Sequence, residues 1–147
     1  MSDDERMDVP KVLELLDAAI PLQMRSALQL AWAAGSATGV EFQSIAAKLA
    51  EFSGDELRDA RWLMEKTTAL GGTPPTQVAP LQPVPSSPEG IKRLIELEQE
   101  ALDALHAIIP ATGQEARSEA LEHLLEHVIM RKQHQVDFLL RVTRPEG

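Results

Sequence analysis

Leu124 to Phe138, LLEHVIMRKQHQVDF, is the stretch whose reading decides the fold. Steps of three and four residues from Leu124 reach His127, Arg131, His134 and Phe138, the spacing that lines one face of an α-helix. Leu121 and Val142 extend that face, so a stripe that buries leucine also carries two imidazoles and a guanidinium. Buried polar groups are costly unless hydrogen-bonded, and buried charges need a counter-charge or a metal. This helix therefore demands carboxylates from elsewhere in the chain.

Composition narrows the field. The 147 residues are enough for one domain with a single core. Hydrophobic residues at 44% with aromatics at only 3% point to helices rather than strands. The chain has no Cys, which excludes disulfides, thiolate zinc sites and iron–sulfur ligation, so any metal would rest on Glu, Asp and His. It has no Tyr either, which excludes a tyrosyl radical. A net charge of −9 argues against a nucleic-acid surface. The amino terminus lacks the pattern of a signal peptide and no run is apolar enough to span a bilayer, so no membrane partner and a cytoplasmic location are expected.

Four helices are expected along the chain. Residues 1–9 read as an acidic tail in which Asp8 caps the first helix, with Pro10 in its first turn. Val12, Leu16, Ala19, Ile20, Ala27, Leu30 and Ala34 mark the apolar stripe of that helix. Pro21 lies inside it and is expected to bend it. Continuing through Ile20, the stripe lands on Gln23. Gly35 to Gly39 is a short connection to a second helix, where Phe42, Ile45, Leu49 and Phe52 lead to Glu56, Asp59, Leu63 and Leu70. Gly71 and Gly72 stop it. Residues 73–87 are proline-rich and read as an extended crossover long enough to run the length of a bundle. Ser87 and Pro88 open a third helix, on whose apolar face Glu98 falls. Thr112 and Glu115 read as a capping box for the fourth helix, which ends near Thr143. Residues 144–147 are a tail.

Each stripe thus carries a polar interruption near mid-length: Gln23, then Glu56 and Asp59, then Glu98, then Arg131 and His134. The interval from Gln23 to Glu56 is 33 residues, and that from Glu98 to Arg131 is also 33, so the chain looks like two matching hairpins converging on one point. With short, long and short connections, the expected architecture is an all-α, up-down-down-up four-helix bundle over residues 10–143.

This pattern resembles the ferritin-like superfamily, bacterioferritins and rubrerythrins included. There a four-helix bundle holds two irons with one Glu from each of two helices and a Glu-x-x-His pair from each of the others. The end of the second helix, ARWLMEKTTALGGTPP, resembles a segment common in that family. Placed on the family pattern, Glu56, Glu98 and His134 match. Gln23 stands for a Glu, Asp59 for a His and Arg131 for a bridging Glu. Leu57 stands where bacterioferritins carry a haem-ligating Met, so no haem is expected.

The resemblance implies a bacterioferritin-like protein with a degenerate diiron centre. Glu56, Asp59 and Glu98 against Arg131 leave a formal charge of −2, which balances one divalent ion but not two. The expectation is at most one divalent metal (iron, manganese or zinc) on Glu56, Glu98 and His134, with Asp59 and Gln23 as weaker ligands. Arg131 would replace the other metal by an ion pair, and His127 could join the network. Two alternatives stand beside it: a metal-free structural or interaction scaffold with an Arg–carboxylate network, and a ferroxidase or iron-storage protein with a non-standard site. A homodimer is expected.

Overall fold

Four apolar stripes become four helices in the computed structural model, which describes residues 6–144. Helix α1 (Val9–Ser36) is capped by Asp8, whose carboxylate accepts from the Lys11 backbone N–H at 3.1 Å. Of the expected tail, residues 1–5 lie outside the described residues, while Met7 is buried and the Asp8 N–H donates to the Ala111 carbonyl. The helix continues through Pro21. A three-residue connection, closed by Gly39 at φ 85°, turns the chain back into α2 (Val40–Ala69). That positive φ suits glycine, which has no Cβ to clash.

The crossover is tied down along α1. The Ala79 N–H donates to the Pro21 carbonyl at 3.1 Å. The Gln29 side chain grips the strap on both sides of Gln82: its Oε1 accepts from the Gln82 N–H at 3.0 Å and its Nε2 donates to the Gln82 carbonyl. Val84 plugs the core at the end of the strap. Helix α3 (Pro88–His106) begins at Ser87, whose hydroxyl accepts from the Gly90 N–H at 3.2 Å. A 3₁₀ turn at Ile109–Ala111 leads to α4 (Ala116–Thr143). The expected Thr112/Glu115 capping box does not form. Thr112 donates its hydroxyl to the Ile109 carbonyl at 2.8 Å, and Glu115 sits at the cap position without accepting a helix backbone N–H, its carboxylate pairing with the Arg117 guanidinium instead. The local turn claims the hydroxyl before the helix begins.

Helix α1 packs on α2 and on α3, and α4 packs on α3 and more thinly on α2. The core falls into two apolar clusters. One gathers Val12, Leu16, Ile20, Leu63, Leu105, Leu121 and Leu125 around one half of the bundle. The other gathers Leu30, Leu49, Phe52, Ile91, Leu94 and Leu139 around the other half. Phe52 and Phe138 meet edge to face, with ring centroids 5.4 Å apart. Among the described residues no helix is long and apolar enough to cross a membrane.

Two glycines respond oppositely to a methyl group. Gly54 lies inside α2 with nothing within 4 Å of an added Cβ, so Gly54→Ala is expected to raise stability by about 0.5–1 kcal/mol in urea denaturation. At Gly90 the Cβ would meet the Pro85 carbonyl oxygen at 1.9 Å, so Gly90→Ala is expected to lower it by about 1–3 kcal/mol.

Candidate functional site

Between the two apolar clusters the helices bring hydrophilic side chains together in the interior. Gln23 from α1, Glu56 and Asp59 from α2 and Glu98 from α3 are at most 2% exposed, as their helical spacing demands. The fourth helix supplies a residue that the sequence reading missed. Lys132 is fully buried, and its three N–H bonds are matched by three acceptors. Its Nζ lies 2.5 Å from Glu56 Oε2, 3.3 Å from Glu98 Oε2 and 3.1 Å from Ser26 Oγ.

Arg131 engages a different carboxylate. Its Nε donates to Asp59 Oδ2 at 2.9 Å and its terminal nitrogen to Asp59 Oδ1 at 2.8 Å, a bidentate fork. The guanidinium also lies 5.7 Å from the centre of the Trp62 ring. It reaches this pair from the rim of the bundle, since the Arg131 side chain is 28% exposed while Asp59 is closed off.

Glu56 completes the centre from both ends of its residue. Gln23 Nε2 donates to Glu56 Oε2 at 2.6 Å and to the Glu56 backbone carbonyl at 2.9 Å. Burial pushes the Glu56 carboxyl up from 4.5 to about 7; Lys132 pulls it down, while Glu98 and Asp59 add to the rise. Lys132 is held above its ordinary value: burial opposes the charge, but Glu98 and Glu56 together outweigh it. Arg131 is likewise held up by its hydrogen bonds to Asp59.

His134 and His127 are corrected by these positions. Both are exposed, and His134 lines a shallow surface groove with His106, Met130 and Asp137. The buried face of α4 runs through Leu121, Leu125, Val128, Lys132, Gln135, Val136 and Leu139, one residue away from the expected stripe. The equal interval of 33 residues misled, because the two hairpins are not equal: Gln23 and Glu56 are 33 apart, but Glu98 and Lys132 are 34. The longer connection between α3 and α4, with its 3₁₀ turn, frees the second hairpin from matching the first. A usable signal was present. Leu121, Leu125, Val128, Val136 and Leu139 form an aliphatic stripe that Lys132 and Gln135 alone interrupt, whereas the chosen stripe held three polar members.

The space a cation would take between Glu56 and Glu98 is filled by the Lys132 ammonium, and both Asp59 oxygens face Arg131. Among the described residues no group of three or more His, Asp or Glu side chains is placed to hold a metal ion.

Comparison with known proteins places this arrangement. The model of the ferritin-like domain matches residues 13–144. No curated protein sequence matches the chain. Among solved structures, a ferritin-like diiron-carboxylate protein from Bacillus anthracis str. Ames aligns with a TM-score of 0.85 at 21% identity, over 98% of this chain and 100% of that one. BfrA from M. tuberculosis aligns with a TM-score of 0.79 at 22% identity, over 90% of this chain and 82% of its own. The bacterioferritin of Desulfovibrio desulfuricans gives 0.81 at 21% identity, covering 97% and 83% respectively. At such identities the likeness to these structures is one of fold.

The contrast between neighbouring basic positions is measurable. Lys132→Met strips the buried carboxylates of their ammonium and is expected to cost about 3–5 kcal/mol in denaturant unfolding at neutral pH. His134→Ala, at an exposed position, is expected to stay within about 0.5 kcal/mol of the parent.

Proposed function

The chain belongs to the ferritin-like family, and we propose that it is a member whose bundle is held by internal cations instead of metal, serving as a helical scaffold rather than a ferroxidase. The observation that carries this reading is the Lys132 ammonium between Glu56 and Glu98, at 2.5 and 3.3 Å. A diiron centre needs carboxylates and imidazoles converging from four helices. Here α1 offers an amide, Gln23, and α4 offers Lys132-x-x-Gln135 in place of Glu-x-x-His. The residues do not suit a pair of metals. A divalent ion about 3 Å from an ammonium is repelled by on the order of 10 kcal/mol at an effective dielectric of about 20. With His134 outside the bundle, the single-metal arrangement loses its imidazole, and Glu56 and Glu98 are already engaged.

The scaffold reading gives the outer surface a role, and we assign it to self-association as a homodimer. Two copies at −9 repel wherever their acidic faces meet. On the outer side of α1 and α2, Met24, Leu57 and Met64 line an apolar cleft, with Leu28 and Trp32 exposed nearby. Its border is close to neutral, because Arg58 pairs with Asp55 and Arg61 with Glu65. That is where like-charged copies approach at least cost.

Protein purified without chelator is expected to contain far less than one metal per chain, to consume no oxygen when ferrous iron is added, and to melt at the same temperature with or without EDTA. Two irons per chain with oxygen uptake would overturn the scaffold reading. The same preparation is expected to sediment as a dimer, and Leu57→Glu to shift it to monomer; a parent that stays monomeric at high concentration would exclude this interface.

A further inference from the structure

Charge at the centre does not balance if every acid is ionised. Asp59 is matched by Arg131, but the single ammonium of Lys132 faces both Glu56 and Glu98. One negative charge is left over in a region where the two glutamates are 0% and 2% exposed. An unmatched buried charge is among the costliest things a fold can hold.

Hydrogen bonding shows the same shortage. Gln23 Oε1 and Glu56 Oε1 are both buried, and neither has a partner among the described residues. They belong to groups already joined on their other side, where Gln23 Nε2 donates to Glu56 Oε2 at 2.6 Å. The Gln23 amide is not free to turn over, because its Nε2 also donates to the Glu56 backbone carbonyl at 2.9 Å. Its oxygen, like the second oxygen of Glu56, is left buried without a donor. With an ionised Glu56, the Gln23–Glu56 pair holds two idle acceptors and no donor for either.

One hydrogen settles both deficits. We infer that Glu56 is protonated in the folded protein, donating its Oε1–H to Gln23 Oε1 and closing an eight-membered acid–amide ring. The carbonyl oxygen of the acid, Oε2, then accepts from Gln23 and Lys132 together, and the whole centre becomes neutral. Where the family's centre uses two metal ions, this one would use an ammonium, a guanidinium and a proton. The groups around Glu56 are Gln23 from α1, Asp59 from α2, Glu98 from α3 and Arg131 and Lys132 from α4, with Ser26 of α1 joined through Lys132. Burial outweighs the pull of Lys132 and raises the Glu56 carboxyl, in the direction the geometry requires.

The inference rests on the metal-free reading, and its test separates the two. A carboxyl raised in the folded state binds more protons there than in the unfolded chain. Its stabilisation is therefore complete below about pH 4.5 and is lost as pH rises through about 7. Glu56→Gln mimics the protonated acid, its Nε2–H replacing the Oε1–H toward Gln23. The variant is expected to match the parent's denaturation midpoint near pH 4.5, to exceed it at pH 7 and above, and to lack the part of the parent's stability loss that builds up between those values. In the parent, infrared spectra in D₂O are expected to show a protonated carboxyl band at pH 7 that fades at alkaline pH. That measurement stands even if Glu56→Gln fails to fold. A metal-free parent with no such band, or a Glu56→Gln variant destabilised equally at every pH, overturns the proton; a water donating to Gln23 Oε1 and to Oε1 of an ionised Glu56 would give that result. Metal found in the parent overturns the metal-free reading instead.

Discussion

The fold turns on placing an ammonium in the middle of a hydrophobic bundle. Lys132 is the largest side chain with no exposure, and an isolated ammonium there would be far too costly to keep. It is tolerated because three helices deliver acceptors to it: Ser26 from α1, Glu56 from α2 and Glu98 from α3. This requirement fixes the axial register of all four helices, since sliding any one by a turn would separate donor from acceptor. Such buried pairs do little for net stability compared with well-packed apolar groups, but they discriminate strongly against wrong registers.

The apolar parts of the molecule are arranged around that waist. Val12, Leu16, Ile20, Leu105, Leu121 and Leu125 close one half, and Leu30, Leu49, Phe52, Ile91 and Leu139 close the other. These clusters carry the hydrophobic driving force, and they exclude water from the charges between them. Exclusion of water strengthens each polar contact and raises the cost of any that is left unmade. Gln135, 1% exposed with neither amide atom bonded to a described residue, lies one turn beyond Lys132 and marks the least satisfied part of the waist.

Likeness to the solved ferritin-like structures is a likeness of frame. The fold is shared with diiron-carboxylate proteins and bacterioferritins, yet the inward positions of α1 and α4 hold an amide and an ammonium. A bundle is specified by its apolar stripes, crossover and hairpins, which survive changes at a handful of inward polar positions. Chemistry depends on those few positions alone. The same backbone can therefore hold metals in one chain and be held by side-chain cations in another.

Helical periodicity made the architecture legible from the residues alone. Four stripes, the Asp8 and Ser87 caps and the proline-rich run from Thr73 to Ser87 gave the element order and the crossover, because these signals are local. Gln23, Glu56, Asp59 and Glu98 were legible for the same reason, each interrupting an otherwise apolar face. Which face of α4 turns inward was not. Arg131 and Lys132 are adjacent, only about 100° apart around the helix, and both adjoin leucine-bearing stripes. Only packing of the complete bundle decides between them. The longer α3–α4 connection sets the phase of α4, and the aliphatic face with fewer polar interruptions goes inward, carrying Lys132 to Glu56 and leaving His134 outside.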